Sequence, residues 1–228
     1  MKRFLVVQHS YSEFLGNIER QLEKRDIGFA YLRCFLDQQL PGSARDYDAL
    51  WLLGGAYPTL DREACPWVDD ELALIDVFEK AHRPVVGIGF GALLVAQQHG
   101  GTPEYEPLHT SHWSVARKTV AGEDDPLANA VDGRKVLVLH NGSVKLPPTI
   151  APLVVDEDGN WLAIRPNDLS YGMLFRPELK PGMIEDMVME AKRPLPDNVA
   201  DVLAEARLQW DQTQVVTDRV IAALVSAL

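Results

Sequence analysis

Pro84-Val85-Val86-Gly87-Ile88-Gly89-Phe90-Gly91-Ala92-Leu93-Leu94 is the stretch on which the reading of this chain turns. Residues 84–88 form a short apolar run that reads as a buried strand, and 91–99 read as a helix. Between them, glycines stand at every second position, 87, 89 and 91. That is the frame of a nucleophile elbow, in which flanking glycines permit a sharp strand-to-helix turn that lifts the central side chain clear of the backbone. The central residue here is Gly89, so the frame is present and the nucleophile is absent. Two other readings use the same residues. Gly87-x-Gly89-x-x-Ala92 fits a dinucleotide fingerprint, with Glu104 and Glu106 at about the right distance for a ribose, although that motif belongs in a first strand–helix unit and this one follows the fourth strand. Alternatively, the glycines simply let a helix pack closely on a strand.

Upstream of this stretch, apolar runs alternate with helical patterns. Residues 4–7 read as a strand and 27–32 as a second. Residues 49–53 form a third, stopped by Gly54-Gly55. Phe14, Leu15, Ile18 and Leu22 recur at near-helical spacing and predict a helix over 11–25. Pro66 sits well at a first helical position, with the helix continuing over 67–82. This alternation, with strands apolar on both faces, predicts a largely parallel sheet covered by helices on both sides. Downstream the character changes. Residues 135–139, 153–155, 161–164 and 171–175 read as strands with short connections, and Asn141-Gly142 and Asp158-Gly159-Asn160 as turns between them. From about 183 to 228 the pattern is helical, broken at Pro194-Leu195-Pro196. No repeat, low-complexity tract or linker interrupts the chain, which predicts one domain over 1–228.

Composition sets outer bounds. The chain has 228 residues, 46% hydrophobic and 24% charged, so it has the apolar content to fold. Its formal net charge is −11, with Lys and Arg scattered and no basic patch, which argues against a nucleic-acid partner. Two cysteines 31 positions apart make neither a disulfide framework nor a metal knuckle, and fit a reducing compartment. The apolar run at the start is too short for a signal peptide core, and no stretch approaches a membrane span. A cytoplasmic protein is the expectation.

Several spaced motifs then fall in one order: Gly54-Gly55; Pro66-Trp67-x-x-Asp70-Glu71; the 84–96 stretch closing with Gly100-Gly101; His140-Asn141-Gly142; Leu146-Pro147-Pro148; and Tyr171-Gly172-Met173-Leu174-Phe175-Arg176-Pro177-Glu178. This series resembles the class I glutamine amidotransferases, specifically their small stand-alone members, over nearly the whole chain. The resemblance implies a flavodoxin-like three-layer α/β fold with a largely parallel central sheet, an antiparallel section and C-terminal helices. It also implies glutamine hydrolysis by a Cys-His-Glu triad, with two backbone N–H groups holding the oxyanion. Carried over position by position, the triad is broken. Where the family has cysteine this chain has Gly89, and where it has histidine this chain has Arg176; Glu178 alone keeps its identity. The family's substrate-holding glutamine is Leu93, and the proline after the glycine pair is Ala56. Gly54, Gly55 and the backbone of Phe90 remain at the oxyanion-loop positions. Arginine stays protonated near neutrality and cannot act as a general base, and glycine cannot form a thioester. The family reaction is therefore not expected.

The remaining candidates are weaker. Cys65, beside a predicted helix start, is a candidate displaced nucleophile; Cys34 reads as packing. His109-x-x-His112 lacks a third metal ligand, so no metal and no cofactor are expected. His9 ends the first strand at the carboxyl edge of the sheet and is a candidate pocket-lining residue. Arg176, with the oxyanion-loop N–H groups, forms a candidate site for a carboxylate or amino acid lined by Gly54, Gly55, Phe90, Leu93, Arg176 and His9. The opposing reading is that Arg176 pairs with Glu178 and that Phe90 and Leu93 fill the cleft. The function expected is that of a non-glutaminase partner or regulator, for example of a synthetase or ligase, or of a small-ligand binder. The alternatives are an enzyme of changed chemistry acting on a glutamine-like or γ-glutamyl amide, and cofactor binding at the glycine-rich turn.

Overall fold

A computed structural model describes residues 2–57, 62–63, 65–191 and 195–227, with the backbone alone described over 105–109 and at 227. Strands β1 (Lys2–Gln8), β2 (Ile27–Arg33), β3 (Ala49–Leu52) and β4 (Val85–Ile88) are joined through helices α1 (Asn17–Glu23) and α2 (Val68–Lys80). Helix α3 (Phe90–Gln98) follows, then β5 (Thr102–Val115), β6 (Arg117–Lys118), α4 (Pro126–Val131), β7 (Lys135–Lys145), β8 (Val154–Val155), β9 (Trp161–Asn167) and β10 (Ser170–Met173). Helices α5 (Pro181–Glu190), α6 (Val199–Leu208) and α7 (Trp210–Ala227) complete the order.

The main sheet runs β2-β1-β3-β4-β10-β9-β8-β6. Its first five strands are mutually parallel, and the last three pair antiparallel. Alternate side chains of the parallel strands point to opposite faces and so build two cores. On one face Phe4, Val6, Trp51 and Ile88 pack with Ile18 and Leu22 of α1, Leu127 of α4, and Val220, Ile221 and Leu224 of α7. On the other, Leu5, Val7, Leu50 and Leu52 pack with Leu74, Ile75 and Phe78 of α2. Helix α3 serves both cores, and its residues 90–96 are all buried. The fold is thus the glutamine amidotransferase-like α/β fold that the motif series implied. Among the described residues, no helix is long and apolar enough to cross a membrane.

Four expectations need correction. Asn141-Gly142 is no turn: both residues lie inside β7, paired with β5 across a register shift, with Gly142 at φ 81°. An Asn-Gly pair with glycine at positive φ suits a hairpin turn and an irregular strand position alike, and only the pairing with β5 tells them apart. The predicted helix over 11–25 starts only at Asn17, because residues 10–16 form a loop held by side chains and Gly16 turns it with φ 50°. Helix α2 begins at Val68, two residues beyond Pro66. The last sheet strand ends at Met173, with Phe175 reduced to a single bridge to Val138. Asp158-Gly159-Asn160 is a turn: the Asp156 carboxylate accepts from the backbone N–H groups of Asp158 and Asn160. Pro194 lies outside the described residues; Leu195 and Pro196 separate α5 from α6.

Candidate functional site

The elbow sits where β4 hands over to α3, at the carboxyl edge of the parallel strands. Gly89 has φ 56° and ψ −113°, a backbone state that strains any residue with a Cβ. The turn is pinned: Gly89 N–H donates to the Met173 carbonyl at 2.8 Å, and Gly91 N–H to the Leu53 carbonyl at 3.1 Å. The flanking glycines are required by closeness. A Cβ on Gly91 would run into the Leu52 carbonyl, and one on Gly87 into the carbonyl of Gly91. The elbow geometry therefore persists without a nucleophile, and the close-packing account of Gly87 and Gly91 holds alongside it. The cofactor reading gains nothing here: Glu104 is exposed on β5, and the Glu106 side chain lies outside the described residues.

Arg176 occupies the space above the elbow. A Cβ at Gly89 would lie 3.2 Å from Arg176 Cδ and 3.3 Å from its Nε, and one at Gly54 would collide with its guanidinium. The guanidinium thus lies between the elbow and the glycine-pair loop. It is buried and every arm is used. Nε donates to Glu178 Oε1 at 2.6 Å, Nη2 to Glu13 Oε1 at 2.9 Å and Nη1 to the Leu139 carbonyl at 3.0 Å. Burial alone would favour losing the proton, but Glu178 and Glu13 together hold Arg176 more firmly protonated than usual. Burial also pushes the Glu178 carboxyl up from its ordinary range, an effect the nearby Arg176 only partly offsets. Glu178 Oε2 is buried without a hydrogen-bond partner.

A second buried pair lies against the same loop. His9 places Nδ1 2.9 Å from the Gly54 carbonyl and Nε2 2.9 Å from Glu71 Oε1. Both ring nitrogens face oxygen atoms, an arrangement that favours the protonated ring. Burial would lower its pKa, yet Glu71 and the Gly54 carbonyl raise it above the ordinary histidine value. Phe90 closes over the imidazole edge-on, with ring centroids 4.9 Å apart. Cys34 Sγ donates to Glu71 Oε1 at 3.4 Å, and burial with the facing carboxylate pushes its thiol pKa far up. Cys34 is therefore an inert thiol, and Cys65 is also buried.

All six residues expected around the cleft are buried; Gly54, Gly55, His9, Phe90 and Arg176 lie about the glycine-pair loop and the elbow, whereas Leu93 lies one turn along α3 and packs in the core on the α1 face. The charge of Arg176 is matched by two carboxylates, so an incoming anion would compete with Glu13 and Glu178. Glu13 is a site residue the sequence reading missed, because 11–25 read as helix surface; nothing local marks it. Glu71 had a signal, its place in the Pro66-Trp67-x-x-Asp70-Glu71 motif. His112 lies apart, 3.9 Å from Asp156, and the His109 side chain falls outside the described residues. No group of three or more potential metal ligands occurs among the described residues.

No protein-family model matches the chain. It is 27% identical over 206 residues to the glutamine amidotransferase-like protein YfeJ of Salmonella typhimurium, covering 86% of this chain and 84% of that one. Among solved structures, a glutamine amidotransferase from Methylobacillus flagellatus superposes with a TM-score of 0.85 at 22% identity, over 100% of this chain and 96% of the other. A glutamine amidotransferase from Thermotoga maritima gives 0.80 at 18% identity, over 98% of each. A protein named as a GMP synthase subunit, from Thermoplasma acidophilum, gives 0.56 at 17% identity, over 92% of this chain and 98% of that one.

Proposed function

We propose that this glutamine amidotransferase-like chain does not hydrolyse glutamine and acts instead through a protein partner, as a regulator or subunit of a synthetase or ligase. One observation carries the reading: the Arg176 guanidinium fills the space between Gly89 and Gly54 and is clamped by Glu13 and Glu178. The family reaction needs three things there: a thiolate at the elbow, a base beside it, and an open volume for the substrate amide. At this elbow the thiol is replaced by hydrogen, the base by a cation that cannot accept a proton, and the volume by that cation's side chain. The GMP synthase neighbour is itself named as one part of a larger enzyme, which supports a fold that works against a second protein.

A carboxylate or amino-acid ligand at Gly54, Gly55, Phe90, Leu93, Arg176 and His9 requires Arg176 to leave both carboxylates first. The partner reading requires no such opening, and we favour it for that reason. The test is recovery of the untagged protein from its own cells, followed by native mass spectrometry and an ammonia-release assay with glutamine. A stoichiometric synthetase or ligase, with no ammonia released, is the expected result. A lone chain carrying a small carboxylate would replace the partner reading with ligand binding, and glutamine-dependent ammonia release would overturn both.

A further inference from the structure

The two edges of the main sheet are built differently. One edge is β6, two residues long, and both are basic: Arg117 and Lys118. Short length and charge are the usual means of keeping a sheet edge from pairing. The other edge, β2, is long and carries a charge only at its last residue, Arg33. It runs seven residues, Ile27-Gly28-Phe29-Ala30-Tyr31-Leu32-Arg33, without lysine or proline, and stays in unbroken register with β1 from Lys2↔Ile27 to Gln8↔Arg33. Among the described residues, no strand pairs with its outer side. The last rung is covered: Gln38 accepts from Arg33 N–H through its side chain at 2.8 Å and donates its own N–H to the Arg33 carbonyl at 3.4 Å. Residues 28–32 are half-buried.

We propose that β2 pairs antiparallel with β2 of a second copy of this chain, making one continuous sheet across a two-fold axis at Ala30. The strand is self-complementary in that register. Phe29 and Tyr31 project to the α1 face, where both pack against the core. Pairing about Ala30 sets Phe29 opposite Tyr31 of the second copy, and Tyr31 opposite its Phe29. Two cross-strand aromatic pairs then extend the edge-to-face contact that Phe29 and Tyr31 already make at 5.7 Å. On the opposite face the small residues Gly28 and Ala30 let the strands approach. The exposed Leu36 and Tyr11, the latter stacked edge-on against Phe35, continue the apolar surface just past the end of β2. A second copy fits better than a foreign strand because it supplies an aromatic partner for both Phe29 and Tyr31 in the same register.

Sedimentation velocity on the full chain across a concentration series tests this, with amide hydrogen exchange at both ends of the series. The expected species has twice the 25.4 kDa chain mass. Exchange over residues 27–32 should slow by about tenfold or more in the concentrated sample. Ala30→Lys sets two ammonium groups against each other on the axis and should give a monomer with an unchanged circular dichroism spectrum. If that variant fails to fold, the exchange comparison on the wild-type chain decides alone. A chain that stays monomeric, a dimer whose 27–32 amides exchange as in dilute solution, or a dimer indifferent to Ala30→Lys would overturn the proposal.

Discussion

Arg176 shows what a single side chain does when it replaces a catalytic group. It holds the β1–α1 loop through Glu13, the β7 backbone through Leu139 and its own loop through Glu178. Arg176→Met should therefore leave two buried carboxylates without a cation and cost about 3–5 kcal/mol in urea denaturation. Adding Glu13→Gln and Glu178→Gln should return most of that loss, because it removes the stranded charges. Gly89→Cys restores the family's nucleophile in name only. It forces a Cβ into φ 56° and to 3.2 Å from Arg176 Cδ, so it should cost about 1–3 kcal/mol and release no ammonia from glutamine. Much of this is readable in the sequence. Gly89, Arg176 and Glu178 stand out because each sits in a motif with fixed neighbours. Glu13 does not, because a loop residue that reaches a buried partner 163 positions away carries no local pattern.

At the scale of elements, a polar pin at the amino edge of the sheet joins α2, α3 and β10. Glu79 near the end of α2 accepts from His99 Nε2 at 3.0 Å, from Asn167 Nδ2 at 2.9 Å and from the Ser170 hydroxyl, while His99 Nδ1 donates to the Val95 carbonyl at 2.8 Å. Although burial alone would raise it, the hydrogen bonds from His99, Ser170 and Asn167 lower the Glu79 pKa from 4.5 to about 2. Burial would lower the His99 pKa, but Glu79 and the Val95 carbonyl raise it above 6.5. The signs give a plateau. The Glu79 contribution is present above pH 4.5 and fades as the pH falls toward 2. The His99 contribution is present below pH 6.5 and fades as the pH climbs through its raised value. Glu79→Gln should flatten both limbs of the stability–pH curve relative to wild type; limbs that persist would assign the pH dependence elsewhere, with His9 the first candidate on the alkaline side. Continuously apolar elements, such as β1, β4 and α3, were legible because burial alone fixes them. The β5–β7 ribbon was not, since its polar residues and its register shift opposite Gly142 make sense only once the two strands are paired.

At the scale of the molecule, the C-terminal helices are tied into the candidate site. The buried Thr217 hydroxyl of α7 accepts from Asn17 Nδ2 at 2.9 Å and donates to the Pro177 carbonyl at 2.7 Å. Asn17 N–H in turn donates to the Glu178 carbonyl at 2.9 Å. The tail, which the sequence marks only as helical, therefore braces the 176–178 loop that carries the arginine. Ile221, fully buried on the same helix, packs into the sheet core instead. Ile221→Ala should cost about 2–5 kcal/mol through the cavity it leaves. Thr217→Val should cost about 1–3 kcal/mol through unsatisfied Asn17 and Pro177 groups. The two losses differ in their coupling to the site. Combined with Arg176→Met, Ile221→Ala should add within about 0.5 kcal/mol, whereas Thr217→Val should depart from additivity by more, because it and Arg176 restrain one loop. Equal additivity for both would mean that the tail covers the domain without bracing the loop, and that the arginine is held by its carboxylates alone.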